Sequence, residues 1–454
     1  MDQKYYGLTL LFIINLINYL DRLSIASVLS KIKEYFVLTS LEGGLLSTCF
    51  LVGYMLTAPV FGYLGDKYSR KWIMIGGIIF WSVVAFLGSV IPAGEQYKLL
   101  FFLNRVLVGV GEASYSTIAP TIIADLFEPH QRKIMLSIFY FAIPIGTGLG
   151  YVMGNLALTL GDWRWILRIT PCIGIISTIM LMFLDEPERG RTDGAVCQSN
   201  ESSVIADLKY LARIPSYVWS TIGFTCCLFA VGALSWWAIE YMGIAVGGPD
   251  GEKAKAYEKT ATLIFGVIIC VAGLVGVIIG TSSAQYLRRF DGRADPLVCA
   301  AGIFVAVPLV LFGLILARGH TGWSWFLMFA GITALSTNWA VVSDMLISVT
   351  VPNKRAFATA IQILISHVFG DATSPFIVGA IRDKLEVAMK PDDKAEYLAF
   401  MYSLLSTLVI LFFGCLAFFN SSRYFVNDVQ VCKETCTTLT ANTSTDQQSL
   451  SQLA

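Results

Sequence analysis

Gly62-Tyr63-Leu64-Gly65-Asp66-Lys67-Tyr68-Ser69-Arg70-Lys71 separates two long apolar runs, and how it is read decides the fold. Gly62 and Gly65 permit a tight turn. Asp66, at a helix end, is placed to attract a neighbouring helix N-terminus, which carries about +0.5 charge. Arg70 and Lys71 offer cations to acids on the adjacent half of the molecule. Asp66, Arg70 and Lys71 are therefore expected to form a latch that favours one conformation. The plainer alternative is a basic juxtamembrane loop that only sets topology. A worn copy, Gly280 to Arg289, keeps Gly280, Arg288 and Arg289 but has no matching aspartate.

Outward from this loop, apolar runs long enough to cross a bilayer recur over nearly the whole chain. The spacing predicts twelve membrane helices: 7–28, 43–65, 72–91, 99–127, 134–158 and 165–184, then 217–246, 261–287, 296–317, 323–349, 356–381 and 398–420. A polar segment at 185–216 parts the two sixes and is expected to be a cytoplasmic linker. A second, at 247–260, is expected to be a loop between spans seven and eight. The predicted units are a six-helix bundle at 1–184, the linker, a second six-helix bundle at 217–420, and a Ser/Thr/Gln-rich tail at 421–454 that is expected to be disordered.

Composition agrees. Hydrophobic residues make up 56% of the 454 and charged ones 14%, with mean hydropathy +0.67, a balance foreign to soluble domains. Net charge is zero, which argues against a nucleic-acid partner. The ten cysteines lie scattered, and with the three histidines they show no metal-ligand spacing, so no metal or other cofactor is expected. The first apolar run is too long for a cleavable signal. A small Lys/Arg bias between loops favours cytoplasmic termini.

The predicted fourth span carries Asn104-Arg105-Val106-Leu107-Val108-Gly109-Val110-Gly111-Glu112-Ala113. Arg105 and Glu112 are two helical turns apart, on one face and ~10 Å along the axis. Charges inside a bilayer are costly and mark a partner, a wet cavity or a function. Span one adds Asn15, Asn18, Asp21 and Arg22. Asp21 and Arg105 fall at matching depths, ~10 and ~9 Å below the outer end. The pair Asp21–Arg105 is therefore geometrically allowed, with Arg22 and Glu112 in the same network; the alternative is a purely structural salt bridge. His367, in the predicted eleventh span, falls near mid-depth and is a candidate for titration. In span seven, Phe224, Phe229, Trp236 and Trp237 are candidates for an acyl-chain groove, Trp237 first among them, or for simple interface packing.

The loop at 62–71 resembles the signature of the major facilitator superfamily. The fourth-span stretch and Ala142 to Gly150, with Pro144, resemble its fourth- and fifth-helix motifs. Asn18-Tyr19-Leu20-Asp21-Arg22, Trp163-Arg164-Trp165, Arg293 to Ala300 and His367-x2-Gly370-Asp371-x2-Ser374-Pro375 together resemble the Spinster family. The resemblance covers residues 7–420. It implies an all-α polytopic membrane protein of the major facilitator fold, with two pseudo-symmetric six-helix bundles. It implies a secondary transporter, not an enzyme, that moves a lysophospholipid or sphingolipid by alternating access with proton coupling. It implies that spans one and four line the cavity, that Asp21, Arg22, Arg105 and Glu112 couple and gate, and that Arg105, His367 and Trp237 meet substrate. The implied partners are the lipid bilayer, the lipid substrate and protons, with the chain acting as a monomer in late endosome, lysosome or plasma membrane. Two other functions stay open: transport of small organic anions such as sugar phosphates, and a non-transporting membrane sensor of the same fold.

Overall fold

The computed structural model describes residues 3–127, 129–187, 204–248, 251–351, 354–389 and 395–452. Within them the protein is built of helices, and twelve are long and apolar enough to cross a membrane. These spans run Gln3–Ser27, Ser40–Gly65, Arg70–Gly88, Glu95–Ile123, Ile138–Thr159, Trp163–Leu181, Pro215–Gly247, Gly251–Leu287, Ala294–Leu316, Thr321–Val349, Phe357–Ala388 and Ala395–Thr435. They are numbered one to twelve below. Both termini emerge at one end, here the inner end; the opposite end is the outer end. Helices dominate because no backbone group in a hydrocarbon layer can be left without a hydrogen bond.

Several predicted boundaries move. Span eight begins at Gly251, so most of the expected loop at 247–260 is helix. A helix that leaves the bilayer keeps its own hydrogen bonds and simply turns polar, as Glu252, Lys253 and Lys255 show. The linker contains a short helix, Val204–Ala212. The tail expected to be disordered continues the last helix, which runs Ala395–Gln452. Phe425 and Cys432 are buried along it, and this packing supports helix beyond the membrane. Span eleven is broken by a π turn at His367–Asp371, where the N–H of Ala372 reaches back to the His367 carbonyl at 3.0 Å. Pro375 has no N–H to give the Asp371 carbonyl, so the regular ladder fails there.

The two halves meet at the outer end. There Ile25, Val28, Leu29, Ile32 and Phe36 join one apolar cluster with Leu228, Ala233 and Trp237 of the other half. The inner part of the first half forms its own cluster, among it Leu8, Ile14, Met74, Tyr115 and Ile122. Spans five and eight cross where Gly148 faces Gly266. A Cβ on either would lie 2.6 or 2.7 Å from the other's carbonyl oxygen, so only glycine lets these backbones touch. Several hydrogen bonds between halves, given by Ser30, Lys33, Lys255 and Trp236 and accepted by Asp383, also lie toward the outer end.

Candidate functional site

Span four is held close to spans two and three by its glycines. A Cβ at Gly109 would lie 2.1 Å from the Phe50 carbonyl oxygen, and one at Gly111 would lie 2.9 Å from the Trp81 backbone. This close approach puts three helices around the charges.

The expected Asp21–Arg105 pair does not form. Asp21 is fully buried and faces spans three and six instead, where it accepts from Trp81 Nε1 at 3.3 Å and Thr170 Oγ1 at 2.6 Å. Arg22, one residue on and so about 100° further round the helix, turns to span four and pairs with Glu112 at 3.5 Å. Its guanidinium lies 4.7–5.1 Å from the centroids of Tyr19, Phe50 and Tyr54. Such a desolvated cation–aromatic contact is worth ~2 kcal/mol. Thr170→Val removes one donor to a buried carboxylate and keeps its shape. It should cost about 1–2 kcal/mol, read as a lower thermal midpoint, while Thr170→Ser should stay close to the parent.

Arg105 is 1% exposed, and its Nε and Nη1 are buried with no hydrogen-bond partner among the described residues. Its guanidinium rests 5.3 Å from the centroid of Phe50, the same ring that carries Arg22. Asp21 and Glu112 act on its charge without touching it. Glu112 Oε1 is likewise buried and unpartnered. The four residues lie together, but the bonded pair is Arg22–Glu112, and among the described residues Arg105 has neither ion pair nor hydrogen bond.

From the other half, His367 Nδ1 lies 2.9 Å from the Asp371 carboxylate, with both side chains about a quarter exposed. The π turn carries this pair.

Trp237 is placed differently from its expectation. It is fully buried, donates to the Pro375 carbonyl at 2.9 Å, and lies under Lys33 at 5.5 Å. Trp236, Phe224 and Phe229 are buried as well. In this conformation Trp236 and Trp237 pack in the outer part of span seven against spans two and eleven, while Phe224, nearer the inner end, packs edge-on against Trp339 of span ten.

The loop at 62–71 also departs from its expected partners. Arg70 pairs with Asp125 of its own half at 2.5 Å and with Glu186 at the start of the linker at 3.5 Å, and with neither across the seam. Lys71 donates to the Met182 carbonyl at 2.6 Å. Burial raises the Glu186 pKa, but hydrogen bonds from Ser69 and the Arg70 N–H, with the Arg70 charge, outweigh it and leave the carboxyl below its ordinary value. The Asp66 side chain lies outside the described residues. In the second half Arg288 takes acids from its neighbours, Asp295 at 2.6 Å and Asp344 at 3.2 Å. The missing aspartate of the worn copy is thus supplied by spans nine and ten.

Sequence reasoning missed Trp81 and Thr170, whose role is visible only once span one is oriented. Glu240 stands as a lone acid in the apolar run of span seven. Its partners were not legible, because Arg382 fell just past the predicted end of its span. Among the described residues no group of acids, cysteines and histidines has the arrangement of a metal site.

A model of the Major Facilitator Superfamily matches residues 11–375. The chain is 45% identical to protein spinster homolog 1 of Rattus norvegicus over 424 residues, covering 91% of this chain and 80% of that one. It is 44% identical to protein spinster of Drosophila melanogaster over 384 residues, covering 84% and 62%. The chain belongs to the Spinster family of the major facilitator superfamily. Spinster proteins of this superfamily are membrane transporters and not enzymes. The fold also matches a crystal structure of a bacterial homologue of the human lysosomal transporter Spinster in an inward-facing, unoccupied conformation. That match has TM-score 0.80 at 18% identity and covers 94% of this chain and 98% of that one. A nucleoside transporter, NupG, matches at TM-score 0.66 and 12% identity, covering 92% and 99%.

Proposed function

We propose that this Spinster-family protein is a secondary active transporter that moves a lysophospholipid or sphingoid phosphate by alternating access, linked to protons. The observation that carries the reading is Arg105. A buried cation without an ion pair or hydrogen bond is costly in a membrane interior. An anionic or zwitterionic head group would supply the missing acceptors. The buried Glu112 is held by only one long bond to Arg22, and its free oxygen offers a place for a proton. Substrate arrival at Arg105 changes the charge around Glu112, and that change links the two ions. Cytoplasmic termini, a latch role for Asp66, Arg70 and Lys71, a cavity role for His367, action as a monomer, and residence in late endosome, lysosome or plasma membrane belong to the same proposal.

The test is flux in proteoliposomes loaded with a labelled lysophospholipid, a sphingoid phosphate or a sugar phosphate, across imposed pH gradients. Lipid flux that follows the gradient supports the reading. Flux of the sugar phosphate without lipid flux replaces it with the small-anion function, and lipid binding without flux points to a sensor. Glu112→Gln should carry lipid with its pH dependence flattened. A gradient response equal to the parent's would remove Glu112 from proton coupling.

A further inference from the structure

Away from the site just described, one buried carboxylate at the outer end holds cations from both halves. Glu240 Oε1 accepts from Lys33 Nζ of the first half at 2.8 Å and from Arg382 Nη1 of its own half at 2.6 Å. The three side chains are 9%, 14% and 4% exposed in the order Glu240, Lys33, Arg382, so little water screens them. The neighbouring Asp383 reaches back across the seam. Its two oxygens accept the N–H groups of Ser40 and Leu41, the first turn of span two, at 3.1 and 2.8 Å. These are orphan donors at the positive end of a helix, and a carboxylate is their natural cap. Lys33 also reaches Ser40 Oγ at 3.5 Å, which closes a ring through Lys33, Ser40, Asp383, Arg382 and Glu240. Trp236 donates to the Gly43 carbonyl across the same seam at 3.1 Å.

We propose that this ring is the outer gate, and that separation of Lys33 from Glu240 is the step that lets the outer end open. The proposal rests on the alternating-access reading above. The bonds of the ring are of two kinds. Lys33–Glu240 and Asp383–Ser40/Leu41 cross between halves and must break when the halves part. Glu240–Arg382 lies within the second half and travels with it. Arg382 is therefore a positioning residue: it keeps Glu240 paired after Lys33 leaves, so opening never strands a bare buried carboxylate. Lys33 is near the surface and gains water as it leaves. The flanking Lys255–Glu34 pair, at 2.5 Å, is largely exposed and adds little to the closure.

Spin labels on Gln96→Cys and His320→Cys, exposed positions on outer loops of opposite halves, would report the seam by pulsed EPR. The native cysteines are replaced, the full chain sits in lipid nanodiscs, and no substrate is present. The parent should show the short, closed distance. Lys33→Gln should raise the ratio of long to short distances roughly tenfold or more, while Arg382→Gln leaves the closed distance dominant. A Lys33→Gln distribution that overlays the parent's overturns the gate. So does an Arg382→Gln distribution as open as that of Lys33→Gln, because the ring would then be general support for the fold. Should Lys33→Gln fail to fold, Lys33→Met/Glu240→Gln removes both charges together and must open the seam, or the proposal fails. Because the distances need no substrate, an opened seam without lipid flux would keep the gate and discard the transport reading.

Discussion

Arg105→Met should abolish lipid flux and leave the thermal midpoint unchanged or raised. The usual expectation for a fully buried charge is that removing it damages the fold, because its partner is left bare. Among the described residues Arg105 has no bonded partner: its Nε and Nη1 make no hydrogen bond, and its guanidinium rests on Phe50. Methionine keeps an unbranched apolar stem against that ring and removes a charge that no anion among the described residues bonds directly, a change that is often neutral or stabilising. Transport behaves oppositely if Arg105 binds the head group. Loss of one half of a buried, hydrogen-bonded charge pair costs a factor of about 100 or more in affinity. The decisive result is the pair of measurements. Lost flux with an intact midpoint supports a ligand role. Lost flux with a midpoint several degrees lower would make Arg105 structural, and retained flux would remove it from the site. The same comparison on Arg22 should come out the other way, since Arg22→Met leaves Glu112 without the one cation bonded to it among the described residues.

Gly148→Leu carries the second large effect. The Gly148 and Gly266 backbones approach so closely that a single Cβ would lie 2.6 Å from a carbonyl oxygen of the opposite helix. That neighbour is backbone, so no change of rotamer can relieve the clash, and the two spans must separate. Overpacking of this kind costs about 3 kcal/mol, or roughly a hundredfold in any equilibrium that needs the contact. On the alternating-access reading this crossing belongs to the closed outer end, so the variant should favour the outer-open state. Flux should fall by about a hundredfold, and the Gln96/His320 distances should lengthen. Gly148→Ala should lie between it and the parent. A Gly148→Leu protein with parental flux and distances would show that spans five and eight tolerate separation and that their crossing has no part in closure.

Much of the site was legible one residue at a time and little of it in pairs. Asp21, Arg22, Arg105 and Glu112 stood out because charge in an apolar run is rare whatever surrounds it. Their depths could be counted along each helix. Their partners could not, since partnership depends on rotation about the helix axis. Asp21 and Arg22 are adjacent in sequence, yet one turns to Trp81 and Thr170 and the other to Glu112. Trp237 shows the same limit. Its aromatic character was plain, but whether it faces a groove or a seam depends on the tilt of one half against the other. Glu240 was visible, but its meaning came from Lys33, more than 200 residues away.

Hydropathy, helix-length runs and the 62–71 loop by themselves determined the membrane setting, the twelve spans and the two-half plan, because each rests on local composition and a single helix length. Tertiary structure alone decided that Arg22 and not Arg105 holds Glu112, that Arg70 binds Asp125 and the linker's Glu186, and that the halves close at the outer end around Glu240. The physical reason is that a bilayer selects residues by their cost in hydrocarbon, which is written in the sequence. Which charges then meet is set by helix rotation, tilt and the glycine contacts that bring backbones together, and these emerge only when all twelve helices are packed.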